Sequence, residues 1–386
     1  MSADKQMMTD RPTRTNNSQR ISIFLPSLEG GGAERVMCNL AIEIAERGIP
    51  VDLVLAKKIG PYLQDVPPTV RLIDLGSGRL IFCIPKLINY LRSVKPHCLI
   101  SALSNANVIA IVSHLLAASP AKIIVSERVA INQAQIHIHS LRRRLVPILI
   151  RLFYKRADHI VAISHGVADQ LATMLGIPHD NIAVIYNPVV NDKLLQKAEE
   201  PVNHPWFLPA APPVIVAAGR LVKQKDFQTL IRAFSLVRKT RVASLMILGE
   251  GECRPELQNL AQQLGIADDV SLPGFVDNPY KYMKGARAFV LSSLYEGFAN
   301  VIIEAMACGT PIISTNCPSG PSEILENGRW GRLVPVGDVG GLAKAIQNVL
   351  DEVSHPDVKS RAAMFSVEKK TDDWFKIVRG EPRRNV

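Results

Sequence analysis

The sequence predicts an α/β protein made of two doubly wound parallel-sheet domains that face each other across a cleft. Short apolar runs alternate with stretches whose apolar residues recur at helical spacing. This alternation stops in a polar, proline-containing stretch at 191–213 and then begins again. Strands that alternate with helices pair in parallel, and two such sheets can direct their strand ends into one cleft, where folds of this kind bind ligands.

The first half is predicted to begin with a strand at 21–26, a glycine loop and a helix. From Glu34 the apolar residues repeat at helical spacing, and Gly48 suits the end of this helix because glycine adopts left-handed backbone angles. Further strands, separated by helical patterns, are predicted at 51–55, 98–102, 123–126, 159–164 and 182–186.

The second half repeats the pattern, with strands predicted at 214–218, 244–248, 270–272, 288–292 and 312–314. Its helices are predicted at 227–239, 255–264, 301–308 and 342–351. We therefore expect a disordered tail at 1–19, a first domain at 20–200 and a second domain at 201–364. A C-terminal helix at about 365–386 could pack back on the first domain.

The composition describes a globular protein. Of the 386 residues, 47% are apolar and 21% are charged, which is far from the composition of a disordered chain. The six cysteines are scattered and form no CxxC pair, which favours a reducing compartment and argues against a structural metal. We find no run of eighteen apolar residues and no signal peptide. A cytoplasmic protein, peripheral on the inner face of a membrane at most, is expected.

The net charge of +10 is concentrated in a basic segment at 141–156, where six cations alternate with Leu, Ile and Phe. A helix that lies on an anionic membrane surface has this composition. An ordinary amphipathic helix that packs on the core has it as well. Nucleic acid binding is disfavoured, because aromatic residues make up only 5% of the chain and no recognition motif is present.

The segment 288–311 combines a strand, a tight loop and a helix, so that the N-terminus of the helix lies at the carboxyl end of a sheet. Such a helix end offers unpaired N–H groups and a positive dipole, which suit a diphosphate. Two carboxylates bracket it, Glu296 in the loop and Glu304 inside the helix. A carboxylate beside an anion site binds hydroxyl groups, so we expect a ligand that is part phosphate and part sugar.

Two further loops follow predicted strands of the second half. Arg220 and Lys225 lie five residues apart after the strand at 214–218, so both could converge on one diphosphate. A pair of solvated cations before a helix is the alternative explanation. Gly249 begins a Gly-Glu-Gly turn, in which glycine either allows the backbone to approach a ligand or simply permits the turn.

A glycine loop, Gly30 to Gly32, connects the first strand to the first helix. It is not the dinucleotide-binding fingerprint, since Arg35 stands where the third glycine would be, and it is not a Walker loop. The lack of the fingerprint disfavours an oxidoreductase. A glycine loop at a helix N-terminus can still adjoin a phosphate or an acceptor molecule.

In this order and at these spacings, the motifs resemble those of glycosyltransferase family 4, retaining enzymes of the GT-B architecture with two Rossmann-like domains. The resemblance extends from about residue 21 to about residue 350. Within the family, the chain is similar to bacterial enzymes that build polysaccharides and lipid-linked glycans. Each motif is common, and the ordered set is highly specific. The set comprises the glycine loop with Glu34, Gly219-Arg220 with Lys225, Gly249-Glu250-Gly251, Gly274-Phe275, the pair Glu296 and Glu304, and the segments 305–311 and 320–325.

The resemblance implies roles for individual residues. Arg220 and Lys225 would hold the donor diphosphate and offset charge on the leaving nucleotide. Glu304 would accept hydrogen bonds from the ribose, and Glu296 would bind hydroxyl groups of the transferred sugar. The other donor-binding positions implied are Gly31 and Gly32 beside the β-phosphate, Gly249, Gly274 and Phe275 near the base, the backbone of Gly297, Phe298 and Ala299, and the N–H groups of Asn300 and Val301.

Family members often carry a histidine or an acidic residue near the acceptor, and Glu127, after the strand at 123–126, could fill that place. A helix cap or an ion pair is the alternative reading of this carboxylate. His165 also follows a strand. For that position we favour a helix cap by Ser164 with His165 as a bystander.

We expect a retaining, metal-independent glycosyltransferase that moves a hexosyl or N-acetylhexosaminyl unit from a nucleotide diphosphate sugar to a glycan or polyprenyl-linked glycan acceptor in surface polysaccharide assembly. UDP is the preferred nucleotide, because the segment 317–323 resembles family members that use UDP-sugars, and GDP stays open. A nucleotide-sugar 2-epimerase of the same architecture and a non-catalytic nucleotide-sugar-binding subunit are the alternatives.

Overall fold

The structure, a computed structural model, describes residues 19–29, 31–128 and 141–380, and for residues 141–144 it describes the backbone alone. The predicted tail at 1–19 therefore lies outside the described residues except for its last position. The described residues form two α/β domains, each with one parallel sheet. This confirms the predicted fold class.

The first sheet has seven strands in the order β3-β2-β1-β4-β5-β6-β7, all parallel. Its strands are β1 Ile21–Leu25, β2 Val51–Leu55, β3 Val70–Asp74, β4 Cys98–Ala102, β5 Lys122–Glu127, β6 His159–Ala162 and β7 Ile182–Val184. The helices of this domain are α1 Gly32–Glu46, α2 Ile84–Val94, α3 Ser104–Ala117, α4 Leu141–Phe153 and α5 His165–Leu175. The order reverses between β1 and β4, so the loop after β1 opens at the switch point.

The second sheet has six parallel strands in the order β10-β9-β8-β11-β12-β13. The strands are β8 Val214–Ala218, β9 Ser244–Leu248, β10 Val270–Gly274, β11 Ala288–Leu291, β12 Ile312–Thr315 and β13 Arg332–Val334. The order reverses between β8 and β11, so the loops with Lys225 and Glu296 flank the second switch point.

The remaining helices join or cover the sheets. After α6 Asp192–Ala198 in the linker come α7 Phe227–Arg238, α8 Arg254–Gln263, α9 Tyr280–Gly285, α10 Asn300–Ala307, α11 Pro321–Ile324, α12 Val339–Asp351, α13 Val358–Ala362 and α14 Val367–Arg379. The stretch predicted as a polar linker thus contains a helix, and its N-cap is Asn191, whose side chain accepts a hydrogen bond from the Leu194 N–H. No helix among the described residues is both long enough and apolar enough to cross a membrane.

Two strands were missed by sequence analysis, and both are edge strands. Strand β3 carries the half-exposed Arg71 and ends at Asp74, so its apolar run is broken. Strand β13 is three residues long and begins with Arg332. An edge strand has a neighbouring strand on one side only, and its other side faces solvent. Its sequence can therefore lack the continuous apolar pattern that identifies a central strand of a parallel sheet.

The chain crosses between the domains twice, and the crossings lie side by side. The N–H of Val189 donates to the carbonyl of Phe365 at 2.9 Å, and the N–H of Val367 donates to the carbonyl of Val190 at 2.9 Å. After the second crossing, α14 packs on the first domain, against α1. Trp374, which is 1% exposed, belongs to the same apolar cluster as strand β1.

Candidate active site

The N-terminus of α10 lies between the two domains. Its preceding residue, Ala299, has φ 65° and ψ 56°, a left-handed conformation that costs an alanine about 1–2 kcal/mol. A Cβ atom built on Gly32 of the first domain would lie 3.6 Å from Nδ2 of Asn300. The glycine loop and the helix end therefore meet across the cleft.

Lys225 and Glu296 form an ion pair, and Lys225 also acts electrostatically on Glu304 of α10. The Lys225 Nζ lies 2.6 Å from Oε1 of Glu296, and the hydroxyl of Ser293 donates to the same oxygen at 2.6 Å. Both side chains are mostly buried. Arg220, five residues earlier, is exposed, and its guanidinium makes no hydrogen bond or ion pair with the part of the chain that the structure describes. It is thus available to an anion.

Glycines allow the adjacent strand ends of the second sheet to approach one another. Gly249 has φ 137°, and a Cβ atom there would lie 2.0 Å from the carbonyl oxygen of Gly219. Its N–H donates to the carbonyl of Gly274 at 2.8 Å. The three glycines follow β8 and β9 and end β10, so they line one continuous edge of the sheet.

Arg35, on α1 of the first domain, reaches the second domain. Its Nη1 lies 3.7 Å from Oε1 of Glu304, and its Nη2 donates a hydrogen bond to the hydroxyl of Tyr280. The guanidinium also lies over the Tyr62 ring. Burial raises the pKa of Glu304, while the positive charges of Arg35 and Lys225 act in the opposite direction. The carboxylate proposed for the ribose is thus in contact with both domains.

Two more contacts hold the domains together beside the site. The carboxylate of Glu323, at the start of the second domain's α11, accepts hydrogen bonds from the N–H groups of His165 at 2.9 Å and Gly166 at 3.0 Å. Ser164 caps the same helix, α5, by accepting from the Val167 N–H at 3.1 Å, which confirms the predicted cap. A carboxylate at a helix N-terminus is stabilised by the unpaired N–H groups and by the helix dipole.

Four further predicted site residues have different surroundings. Phe275 is 78% exposed, after β10 at the outer edge of the second sheet. The Phe298 side chain is buried and stacks on Tyr186 with ring centroids 5.0 Å apart, so only its backbone is near the cleft. Gly297 is packed under the first domain, since a Cβ atom there would lie 2.5 Å from the carbonyl oxygen of Arg128. Val301 is partly buried in the first turn of α10.

Glu127 has no exposed surface. Its carboxylate accepts hydrogen bonds from Ser104 at 2.9 Å, from the Tyr154 hydroxyl at 2.7 Å and from the N–H of Arg128 at 3.2 Å. These bonds occupy both oxygens, and the tyrosine and serine come from helices of the first domain's own core. The arrangement favours a structural role over contact with an acceptor. The partners are two hydroxyls and one backbone N–H, so these contacts are neither the helix cap nor the ion pair named as the alternative.

Sequence analysis missed several residues that the fold brings to the cleft. They are Arg35, Arg128, Asn187, Tyr280 and Glu323. A signal existed for two of them, since Arg128 and Asn187 follow strands of the first sheet at its carboxyl edge. Within the described ranges, no group of three or more His, Cys, Asp or Glu side chains is placed to hold a metal ion, and all six cysteines are free thiols.

Two family models match the chain in sequence order. The model described as "Glycosyltransferase Family 4" matches residues 30–193, and the model described as "Glycosyl transferases group 1" matches residues 212–352. Together they span most of the chain. The first match covers strands β2 to β7, and the second covers strands β8 to β13.

Relatives match over nearly the full length. The chain is 29% identical to the N-acetylgalactosamine-N,N'-diacetylbacillosaminyl-diphospho-undecaprenol 4-alpha-N-acetylgalactosaminyltransferase of Campylobacter jejuni, over 94% of this chain and 100% of the relative. It is 26% identical to the lipopolysaccharide core biosynthesis glycosyltransferase LpsE of Rhizobium meliloti, over 91% of this chain and 97% of the relative.

Solved structures share the fold. The apo form of the lipopolysaccharide outer core galactosyltransferase WaaB matches with a TM-score of 0.71 and 20% identity, over 94% of this chain and 100% of that one. Anabaena HepE in complex with UDP and glucose matches with a TM-score of 0.75 and 19% identity, over 93% of this chain and 99% of that one. The family matches, the two facing sheets and the order of the motifs agree, and the chain belongs to the glycosyltransferases with the two-domain GT-B fold.

Proposed function

We propose that this enzyme transfers a hexosyl or N-acetylhexosaminyl unit from a UDP-sugar to a glycan or lipid-linked glycan acceptor and retains the anomeric configuration. The observation that carries the proposal is the contact of the N-terminus of α10 with the glycine loop of the other domain, together with the ion pair of Lys225 and Glu296 in the loops beside that helix. A cation, two helix N–H groups and a hydroxyl-binding carboxylate in one cleft suit a ligand that joins a diphosphate to a sugar.

The positive groups would act on the leaving group. As the bond between the anomeric carbon and the diphosphate breaks, negative charge grows on the β-phosphate, and Lys225 and Arg220 offset it. The N–H groups of Asn300 and Val301 provide further donors that are already oriented. The acceptor hydroxyl attacks the anomeric carbon from the face that the diphosphate leaves, and its proton passes to the departing phosphate oxygen.

The carboxylates would bind the neutral parts of the donor. Glu296, held by Lys225 and Ser293, lies beside the proposed diphosphate position and would bind hydroxyl groups of the transferred sugar. Glu304, one turn into α10, would accept hydrogen bonds from the ribose. Because Lys225 and Arg220 would offset the negative charge of the diphosphate, we propose that no metal ion is needed. Turnover should therefore persist in EDTA.

The acceptor is inferred from the relatives. The Campylobacter jejuni relative is named for an undecaprenol diphosphate-linked acceptor and the Rhizobium meliloti relative for lipopolysaccharide core synthesis. We infer a membrane-linked glycan acceptor in surface polysaccharide assembly for this chain too.

An exposed apolar surface on the first domain supports this acceptor. On α4 the side chains of Leu145, Ile148 and Leu152 are more than half exposed, although the helix packs on α3 through its other side. Ile81 and Phe82, on a short helix that contacts α3, and Leu115 and Leu116, at the end of α3, are exposed as well. Arg151, Lys155 and Arg156 lie at the end of α4 and are exposed. An apolar surface beside cations suits the boundary of an anionic membrane, and we call these residues the α4 surface.

The function is tested by incubating the purified protein with UDP-sugars, with and without a polyprenyl diphosphate-linked glycan, and by analysing all products. Transfer to the lipid with release of UDP, and an α-anomer formed from an α-linked donor, are expected. Sugar interconversion without acceptor would show the epimerase instead. Donor binding without transfer to any acceptor offered would show a binding subunit.

A further inference from the structure

The guanidinium of Arg128 is buried, and no carboxylate among the described residues lies within ion-pair distance of it. The residue is 5% exposed, and burial lowers the pKa of its side chain to about 10, while Glu34 and Glu127 act in the opposite direction. Among the described residues it forms no ion pair, and its Nε has no hydrogen-bond partner. Its Nη2 contacts the sulfur of Met37, and its Nη1 donates to Oδ1 of Asn187 at 2.6 Å. Burying a cation among mainly neutral groups costs free energy, and the hydrogen bonds that it makes to those groups offset part of this cost.

Arg128 fixes which way the amide of Asn187 points. A guanidinium has donors only, so it must face the oxygen of the amide and not its nitrogen. The Asn187 side chain, which is 4% exposed, therefore directs its Nδ2 away from Arg128. That nitrogen donates to Oδ1 of Asn300 at 2.7 Å. The direction of the whole chain of hydrogen bonds follows from the chemistry of its first member.

The same logic fixes the amide of Asn300. Because its Oδ1 accepts from Asn187, its Nδ2 faces the other way, toward the glycine loop. A Cβ atom built on Gly32 would lie 3.6 Å from this nitrogen. The β-phosphate of the donor is proposed above to lie beside Gly32 and the first turn of α10, within reach of this nitrogen.

We propose that Arg128 and Asn187 are positioning residues that orient the side chain of Asn300, so that its amide nitrogen donates to the β-phosphate of the donor and of the product. This inference rests on the proposed function and adds a side-chain donor to the backbone N–H groups of α10. Arg128 and Asn187 belong to the first domain and Asn300 belongs to the second. The amide nitrogen of Asn300 is therefore oriented only while the two domains are in contact.

The decisive variant is Asn187→Asp, which keeps the shape of the side chain. Its carboxylate still accepts from Arg128 but cannot donate to Asn300, so Asn300 turns its nitrogen toward residue 187 and its oxygen toward the phosphate. A hydrogen-bond donor to the phosphate is then replaced by an acceptor. Loss of one such donor lowers kcat by about 10²-fold. Asn187→Leu removes the bond without adding charge, so Asn300 loses its fixed direction, and we expect a smaller loss of about tenfold.

Arg128 offers a second pair of variants. Arg128→Lys keeps a side chain that only donates, so the direction of the relay and most of the activity should persist. Arg128→Gln carries an amide that can face Asn187 with either end, so it should lose about tenfold in kcat. A purely structural role for Arg128 would not predict that lysine is the better replacement, since a buried lysine fills the cavity no better than glutamine.

Binding of UDP and UMP separates this role from general damage, because UMP lacks the β-phosphate. We expect Asn187→Asp to raise the Kd of UDP by about tenfold or more, while the Kd of UMP changes by less than about twofold. Equal weakening of both nucleotides, or an unchanged UDP affinity and kcat, would overturn the inference, and thermal melting of each variant checks that it folds. If the wild type bound neither nucleotide and transferred no sugar, the proposed function would fail instead.

Discussion

The Nζ of Lys225 lies 2.6 Å from Oε1 of Glu296, so the cation proposed for the diphosphate and the carboxylate proposed for the transferred sugar hold each other in place. Both come from loops at the switch point of the second sheet, 71 residues apart in sequence. Each therefore depends on the other for its position. A change at Glu296 should affect leaving-group stabilisation as well as sugar binding.

Lys225→Ala should lower kcat by about 10²–10³-fold, because one preorganised donor to the leaving group is lost. The fold should persist, since the lysine lies on the cleft side of a short loop. Lys223→Ala is the matched control, since Lys223 is an exposed lysine of the same single turn and should leave kcat unchanged. Turnover close to that of the wild type in purified Lys225→Ala would contradict the assignment.

Glu304→Ala should raise the donor KM more than it lowers kcat, because the ribose is bound alike in the ground state and the transition state. Burial raises the pKa of this carboxyl, so it gains a proton at a higher pH than an ordinary glutamate. As the pH falls, the wild-type donor KM should therefore rise, and Glu304→Gln should lack this rise. Steady-state kinetics of both proteins across a range of pH measure the donor KM. Identical pH profiles of the wild type and Glu304→Gln would contradict the ribose role.

Glu323→Ala should loosen closure of the two domains. The carboxylate satisfies two N–H groups at the start of α5, and loss of such a cap costs about 1–2 kcal/mol. If closure is needed for turnover, kcat/KM should fall by roughly five- to thirtyfold. Small-angle scattering should show a larger radius of gyration, while Ser322→Ala should match the wild type. An unchanged radius together with normal kcat/KM would show that the contact does not hold the domains.

The α4 surface should bind anionic vesicles at low salt. Ile148→Glu with Leu152→Glu should reduce co-sedimentation by at least about tenfold, because burial of each such side chain is worth about 1.5–3 kcal/mol. Leu236→Glu, on an exposed part of α7 in the second domain, is the control and should sediment like the wild type. If neither wild type nor control sediments with the vesicles, the acceptor reaches the enzyme by another route.

Trp374→Ala should lower the free energy of unfolding by about 3–5 kcal/mol, the usual cost of removing a large buried aromatic side chain. Trp374 is fully enclosed between α14 and the first domain. Val353→Ala, at a fully exposed position, is the control. Denaturant titration of both variants measures the difference. A loss below about 1 kcal/mol would mean that α14 contributes little to the first domain.

Sequence analysis located most of the strands and the main parts of the site because these depend on local signals. Central strands of a parallel sheet are buried on both faces and read as apolar runs, as in Val51–Leu55 and Ser244–Leu248. The loop from Glu296 to Asn300 was found because strand, loop and helix are contiguous. The edge strands β3 and β13 were missed because polar side chains break their pattern.

Contacts between segments could not be predicted in this way. Arg35 and Tyr280 are 245 residues apart, and nothing in the spacing of either segment pairs them. The same limit affected Glu127, which lies at a strand end as predicted. Its hydrogen-bond partners Ser104 and Tyr154 come from two helices and bury it. The position of a residue at a strand end does not by itself determine whether its side chain is exposed to solvent.

The paired crossings beside Val190 and Phe365 have a consequence for how the protein can be divided. Two hydrogen-bonded connections side by side define one axis, which permits swinging of one half against the other and resists sliding. A fragment that stopped at the linker would also lack α14 and would leave the groove of Trp374 open to water. Splitting this chain into separately expressed halves therefore requires the last thirteen-residue helix to be fused to, or supplied with, the N-terminal piece.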